Sequence, residues 1–88
     1  MGEVAVAIER KLRAALTPSK LELRDDSARH AGHVHAGVES HFDLTIEAAA
    51  FAGLTRVGRQ RLVMTALAEE LAGPLHALAI HASAPGEG

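Results

Sequence analysis

Cysteine does not occur in this sequence. Its absence rules out a disulfide framework and a thiolate nucleophile or metal ligand on this chain. Aromatic rings are almost as scarce: tryptophan and tyrosine are missing, and Phe42 and Phe51 are the only phenyl rings. Both lie in apolar runs, so the chain offers no stacking platform for single-stranded nucleic acid. Leu, Val, Ile and Ala must fill the interior instead. Neither sign of charge dominates; a net charge of -2 gives no global attraction for phosphate, although local basic patches stay open. An unbroken apolar span and a charged-apolar-small leader are both lacking, which makes the cytoplasm the expected location. No Ser-His-Asp order, phosphate-cradling glycine loop or acid pair is recognisable, so an enzyme is not expected.

What the chain does have is histidine, and it is unevenly placed. Four of the six histidines, His30, His33, His35 and His41, fall between Asp25 and Phe42, and His76 and His81 follow much later. Imidazole is the commonest protein metal ligand, so clustering it on a Gly-punctuated stretch is a chemical signal. A single histidine within a strand, such as His41 or His81, reads more simply as a solvated or hydrogen-bonded surface residue.

The 88 residues suffice for one small domain with one core, expected over residues 1–83, with 84–88 as a flexible Pro/Gly tail. From Glu3 to Leu16, Ala5, Ile8, Leu12 and Leu16 recur at helical spacing, and Pro18 forbids continuation. Lys20 to Arg24 alternates with Leu21 and Leu23 on one face. Phe42, Leu44 and Ile46 alternate in the same way with Asp43, Thr45 and Glu47. These segments predict an antiparallel hairpin with an unusually long connection that holds the histidines. After Ile46 the period turns helical. A short turn ends at Gly53, Thr55 is the expected N-cap, and a long helix runs from Arg56 to Ala72 with Val57, Met64, Leu67 and Leu71 on its apolar face, helped by Val63. Gly73-Pro74 stops it, and Leu75 to Ala82 is the last strand.

The order is therefore αββααβ: an α+β domain with helices packed on one face of a three-stranded mixed sheet. If the last strand lies parallel to the second through a helical crossover, its start lies where the histidine connection empties. Topology thus permits a loop histidine to meet His76. Asp25-Asp26 and Glu69-Glu70 read as ordinary surface charge.

Four blocks carry a resemblance. Asp25-Asp26-Ser27-Ala28-Arg29-His30, Glu39-Ser40-His41-Phe42, Arg59-Gln60-Arg61-Leu62-Val63 leading to Leu67-Ala68-Glu69-Glu70-Leu71, and Leu75-His76-Ala77-Leu78 resemble the successive signature blocks of the BolA family. The resemblance implies a fold similar to the class II KH domain. It also implies partnership with a monothiol (Cys-Gly-Phe-Ser) glutaredoxin. In that complex a two-iron two-sulfur cluster is shared by the glutaredoxin cysteine, glutathione and BolA residues. In the histidine-loop subgroup those residues are a loop histidine and the histidine of the last block, which on this chain are His30 and His76. His33 and His35 are possible substitutes for His30, which follows the Asp26-Ser27 block directly. The family's Arg-His-Arg reads Arg59-Gln60-Arg61 here, with an amide in place of the middle imidazole.

A chain without cysteine cannot hold such a cluster alone, so a thiolate-bearing partner is obligatory, and no cofactor is expected to stay on the isolated monomer or weak homodimer. Protonated imidazole cannot bind metal, so ligation of this kind is expected to fail below about pH 6.5, the free imidazole value. The expected role is a non-catalytic one in cluster trafficking, maturation, or iron and redox signalling. The family has also been assigned DNA binding in transcriptional regulation, for which Arg56, Arg59 and Arg61 are the contact candidates. No Gly-x-x-Gly nucleic-acid loop accompanies them. A plain zinc-binding or pH-sensing module using the loop alone is a third reading.

Overall fold

The computed structural model describes residues 2–26 and 40–87. Helix α1 covers Glu3–Leu16 and buries Ala5, Ile8 and Leu12, the stripe read from spacing. An acid, Glu3, stands in its first turn and a base, Arg13, in its last, which suits the helix dipole. Thr17 closes it in the left-handed region at φ 45°, and its N–H returns to the Arg13 carbonyl at 3.1 Å. Pro18 then turns the chain into the sheet.

Strands β1 (Lys20–Asp25) and β2 (His41–Glu47) pair antiparallel, with Leu23 opposite Leu44 and Asp25 opposite Phe42. Strand β3 (Ala77–Ser83) pairs parallel to β2, with His41 opposite Ala77 and Leu44 opposite Ile80. The order β1-β2-β3 puts β2 in the middle, so its alternate residues Phe42, Leu44 and Ile46 are fully buried beneath the helices. Their counterparts Leu21, Leu23, Leu78 and Ile80 on the outer strands pack against that core with part of their surface exposed. The α+β order and the mixed sheet are those expected from the alternation of periods.

The crossover differs in detail from its expected form. The short helical turn is a 3-10 turn at Ala49–Phe51 that drives Phe51 fully into the core, and Gly53 follows at φ 78°. Thr55 caps the next helix as predicted, its hydroxyl accepting from the Gly58 N–H at 3.0 Å. The single helix expected from Arg56 to Ala72 is two: α2 (Arg56–Ala66) and α3 (Ala68–Ala72), broken at Leu67 with φ -107° and ψ 21°. Nothing around Leu67 disfavours helix by propensity, so tertiary packing imposes the break. Leu67 is fully buried, and just beyond it Lys11 of α1 reaches Glu69 at 2.9 Å and Glu70 at 2.8 Å. Glu70, read as surface charge, is in fact nearly buried. The inward face of α2 also differs: Val63 and Leu67 are buried, whereas Val57 and Met64 are 56% and 48% exposed. Met64 lies roughly 100° round the axis from Val63, enough to clear a narrow contact line.

Candidate functional site

The long connection between β1 and β2 is fastened at one rim of the sheet. On its leading side the Asp26 N–H donates to the His41 carbonyl at 2.8 Å. On its trailing side the Ser40 carbonyl accepts from the His76 N–H at 2.8 Å and the Ala77 N–H at 3.1 Å. His76 therefore sits where the connection re-enters the sheet, immediately ahead of β3. Leu75 sets it there: its side chain is buried and its N–H returns to the Glu70 carbonyl at 2.9 Å, so the turn after α3 has little freedom. His76 itself is exposed. His30, His33 and His35 lie outside the described residues.

His41 belongs to this rim as well. Its ring centre is 6.3 Å from that of His76, with the planes at 80° in an edge-on arrangement. The Ser40 hydroxyl lies 2.9 Å from His41 Nδ1, and Ser40 is only 5% exposed. Sequence reasoning passed over His41 as a strand-surface histidine. The usable signal was the parallel crossover, which sets the first residues of β2 and β3 side by side. His81 stands apart on the open face, opposite Thr45, roughly 13 Å along the strand from the His41 level. Its Nε2 is 3.4 Å from Asp43, whose carboxylate also meets Arg24 at 3.4 Å. Among the described residues no three His, Asp or Glu side chains converge as a metal site.

The three arginines at the start of α2 do not form one patch. Arg56 and Arg61 are exposed. Arg59 is engaged: its guanidinium takes both carboxylate oxygens of Glu87 at 2.6 and 2.7 Å, and its Nε donates to the Leu54 carbonyl at 3.1 Å. The segment read as a loose tail supplies that carboxylate, and within it Ala84 is buried and donates its N–H to Glu87 at 3.0 Å. The Arg59 hydrogen bonds first, and that of the Ala84 N–H second, hold the Glu87 carboxyl down at about 2. Conversely, the Glu87 hydrogen bonds raise the Arg59 pKa further above its ordinary value.

The sequence model of the BolA-like protein family matches residues 12–87. The chain belongs to the BolA family. It is 49% identical over 87 residues to human BolA-like protein 1, covering 99% of this chain and 62% of that one. It is 47% identical over 74 residues to the Escherichia coli protein named DNA-binding transcriptional regulator BolA, covering 84% of this chain and 69% of the relative. The solved structure of the BolA domain of SufE1 from Arabidopsis thaliana superposes with a TM-score of 0.91 at 42% identity, covering 100% of this chain and 99% of that one. In this BolA-family chain no helix among the described residues is long and apolar enough to cross a membrane.

Proposed function

We propose that this chain is a non-catalytic partner of a monothiol glutaredoxin, co-ligating a two-iron two-sulfur cluster in iron-sulfur trafficking, maturation, or iron and redox signalling. The observation that carries this reading is the exposed His76, held by its own backbone against the end of the histidine-bearing connection. His76 is one ligand on this side and His30 the other, with His33 or His35 in its place if the connection presents them instead. The glutaredoxin cysteine and glutathione supply the sulfur that a chain without cysteine lacks. Bound there, the cluster provides a one-electron centre and a transferable unit of iron and sulfide. The chain's own part is to fix one imidazole on a rigid strand start and to bring a second on the adjoining connection. Imidazole in place of thiolate raises the reduction potential of such a centre.

The test is reconstitution of the chain with a monothiol glutaredoxin, glutathione, iron and sulfide, followed by the visible spectrum. His76→Ala changes or removes the mixed-ligand spectrum while the domain stays folded, and His81→Ala does not. Equal effects of the two substitutions overturn the reading.

A DNA-binding regulator is the second reading, favoured by the name of the Escherichia coli relative and by the exposed Arg56 and Arg61. With Arg59 paired to Glu87, two cations remain for phosphate on that turn. Two phosphate contacts give a log-log salt slope of only about -2 for duplex DNA. A much steeper slope with a sequence preference favours the regulator over the glutaredoxin partner.

A further inference from the structure

Strand β3 lies at one edge of the sheet, and no other strand covers its outer side among the described residues. We propose that this edge is a docking groove for an extended peptide segment with an acidic side chain. The segment pairs main chain to main chain with β3 and sets its carboxylate on Arg56. The groove lies towards the end of β3 remote from His76, and the inference goes beyond the glutaredoxin reading without needing it.

Parity within β3 fixes which main-chain groups are on offer. Along a strand paired on one side only, alternate residues turn their N–H and C=O to the neighbour and away from it. The Ala77 N–H donates to the Ser40 carbonyl at 3.1 Å, and the Ser83 carbonyl accepts from the Ala48 N–H at 3.0 Å. Ala77, Ala79, His81 and Ser83 therefore face β2, and Leu78, Ile80 and Ala82 face the open edge. Ala82 agrees, since its carbonyl accepts from Arg59 Nη1 at 3.4 Å. Sheet edges are ordinarily blunted by lysine, proline, an inserted residue or a covering segment. Strand β3 reads Ala-Leu-Ala-Ile-His-Ala-Ser, without lysine, acid or proline, and its register with β2 is unbroken from Ala77 to Ser83. The edge is unguarded, which is the condition for strand addition.

The space beside this edge selects a carboxylate. A groove of about 430 Å³ between β3 and the start of α2 is lined by Leu54, Ile80, Arg56 and Arg59. The first turn of α2 holds those two arginines and no acid, and the positive end of the helix dipole adds to them. The chain itself shows what such a surface takes up, for Arg59 grips both oxygens of the Glu87 carboxylate at 2.6 and 2.7 Å. Arg56, one turn earlier, is exposed and has no ion-pair partner among the described residues. An extended segment sends every second side chain to the same face. An apolar residue against Leu54 and Ile80 and an acid two positions away against Arg56 therefore come from one face of the incoming strand. A second copy of this chain is a poorer occupant. Its β3 brings no carboxylate to the edge and adds another Arg56 to the one already there.

The probe is the end-blocked peptide Ser-Val-Thr-Val-Thr-Glu-Ser, titrated into the isolated chain while its amide spectrum is recorded. The expected result is that the Leu78, Ile80 and Ala82 amides shift and gain protection from hydrogen exchange, while the amides of β1 hold still. Arg56→Gln weakens binding about fivefold, the upper end for an exposed ion pair, and Arg10→Gln on α1 leaves it unchanged. A peptide with Gln in place of its Glu loses the same factor on the unaltered chain and loses nothing further on Arg56→Gln. N-methylation of one alternate set of peptide amides abolishes binding. Full binding with either set methylated, unchanged affinity in Arg56→Gln, or shifts confined to other strands overturns the proposal. A thymidine oligonucleotide that moves the same amides at lower concentration than the peptide overturns it in favour of nucleic acid. Protection of those amides that rises with chain concentration alone overturns it in favour of a second copy. If Arg56→Gln folds poorly, the two peptides on the unaltered chain decide by themselves. Every measurement uses the chain without glutaredoxin, so failure of cluster reconstitution leaves the groove standing.

Discussion

Ser40 holds His76 by its carbonyl, accepting the His76 N–H at 2.8 Å, and holds the neighbouring His41 by its hydroxyl at 2.9 Å. One small buried residue thus sets the backbone of one imidazole and the ring of another. The two duties are separable by substitution, because one is main chain and the other is side chain.

Ser40→Ala keeps the carbonyl and loses the hydroxyl. The expected cost is about 1 kcal/mol in urea unfolding, the usual net worth of one hydrogen bond. The His41 ring should change its tautomer balance in nitrogen spectra, while the His76 amide stays protected from hydrogen exchange. Loss of that protection would show that the hydroxyl, and not the strand pairing, holds the rim.

Thr55 and Gly53 control entry into α2. Thr55→Ala removes the cap on the Gly58 N–H and should cost about 1 kcal/mol, with Thr55→Ser close to the unaltered chain. Gly53→Ala should cost about 1 kcal/mol for a different reason, since φ 78° strains any side chain although open space surrounds the site. Denaturant midpoints of the three variants check both statements.

Glu87→Gln breaks the fork on Arg59, and its effect should depend on pH. The Glu87 carboxyl ordinarily titrates near 4.5 and is lowered to about 2 in the folded chain. A lowered carboxyl stabilises the fold above its unfolded value and loses that contribution as pH falls through the folded one. Thermal midpoints of Glu87→Gln should therefore lie below the unaltered chain at neutral pH by a constant margin down to about pH 4.5. Below that the two curves should converge towards about pH 2. A margin independent of pH over this range would assign the effect to something other than the carboxylate. The same variant frees Arg59, so it should steepen the salt dependence of any DNA binding by about one unit of slope.

Lys11 joins α1 to α3 through Glu69 and the nearly buried Glu70. Lys11→Met strands the Glu70 carboxylate and should lower the thermal midpoint by several degrees. The double variant Lys11→Met/Glu70→Leu should recover most of that loss, because leaving one partner of a part-buried pair without its counter-charge costs more than removing both. A double variant no better than the single would place the stabilisation in the fold of α3 and not in the ion pair.

The parts of the fold legible in the sequence are those set by local periodicity. Ala5, Ile8 and Leu12 fix the buried line of α1, and Leu21, Leu23, Phe42, Leu44 and Ile46 fix which faces of the hairpin turn inward. The parallel pairing of β3 follows from the helical crossover, and with it the placing of His76 at the rim. What stayed illegible depends on contacts between distant segments. The break at Leu67 has no local cause and goes with the burial of its side chain in the common core. Val57 and Met64 are apolar at helical spacing yet exposed, because α2 touches the core along a line narrower than its apolar arc. The Arg59–Glu87 fork joins positions 28 residues apart, which no short-range pattern reports. His41 was a matter of weighing: the topology that brought His76 to the rim brings His41 there too.

Because Asp26 and Ser40 are each tied to the sheet by main-chain bonds, strand register is settled outside the span from 27 to 39. Lengthening such a connection is cheap, about 0.6 kcal/mol for each doubling. Changes of length within that span therefore leave the pairing of the three strands in place. On the proposed reading, the choice of ligand and partner can drift there under separate selection, with the domain serving as a fixed mount.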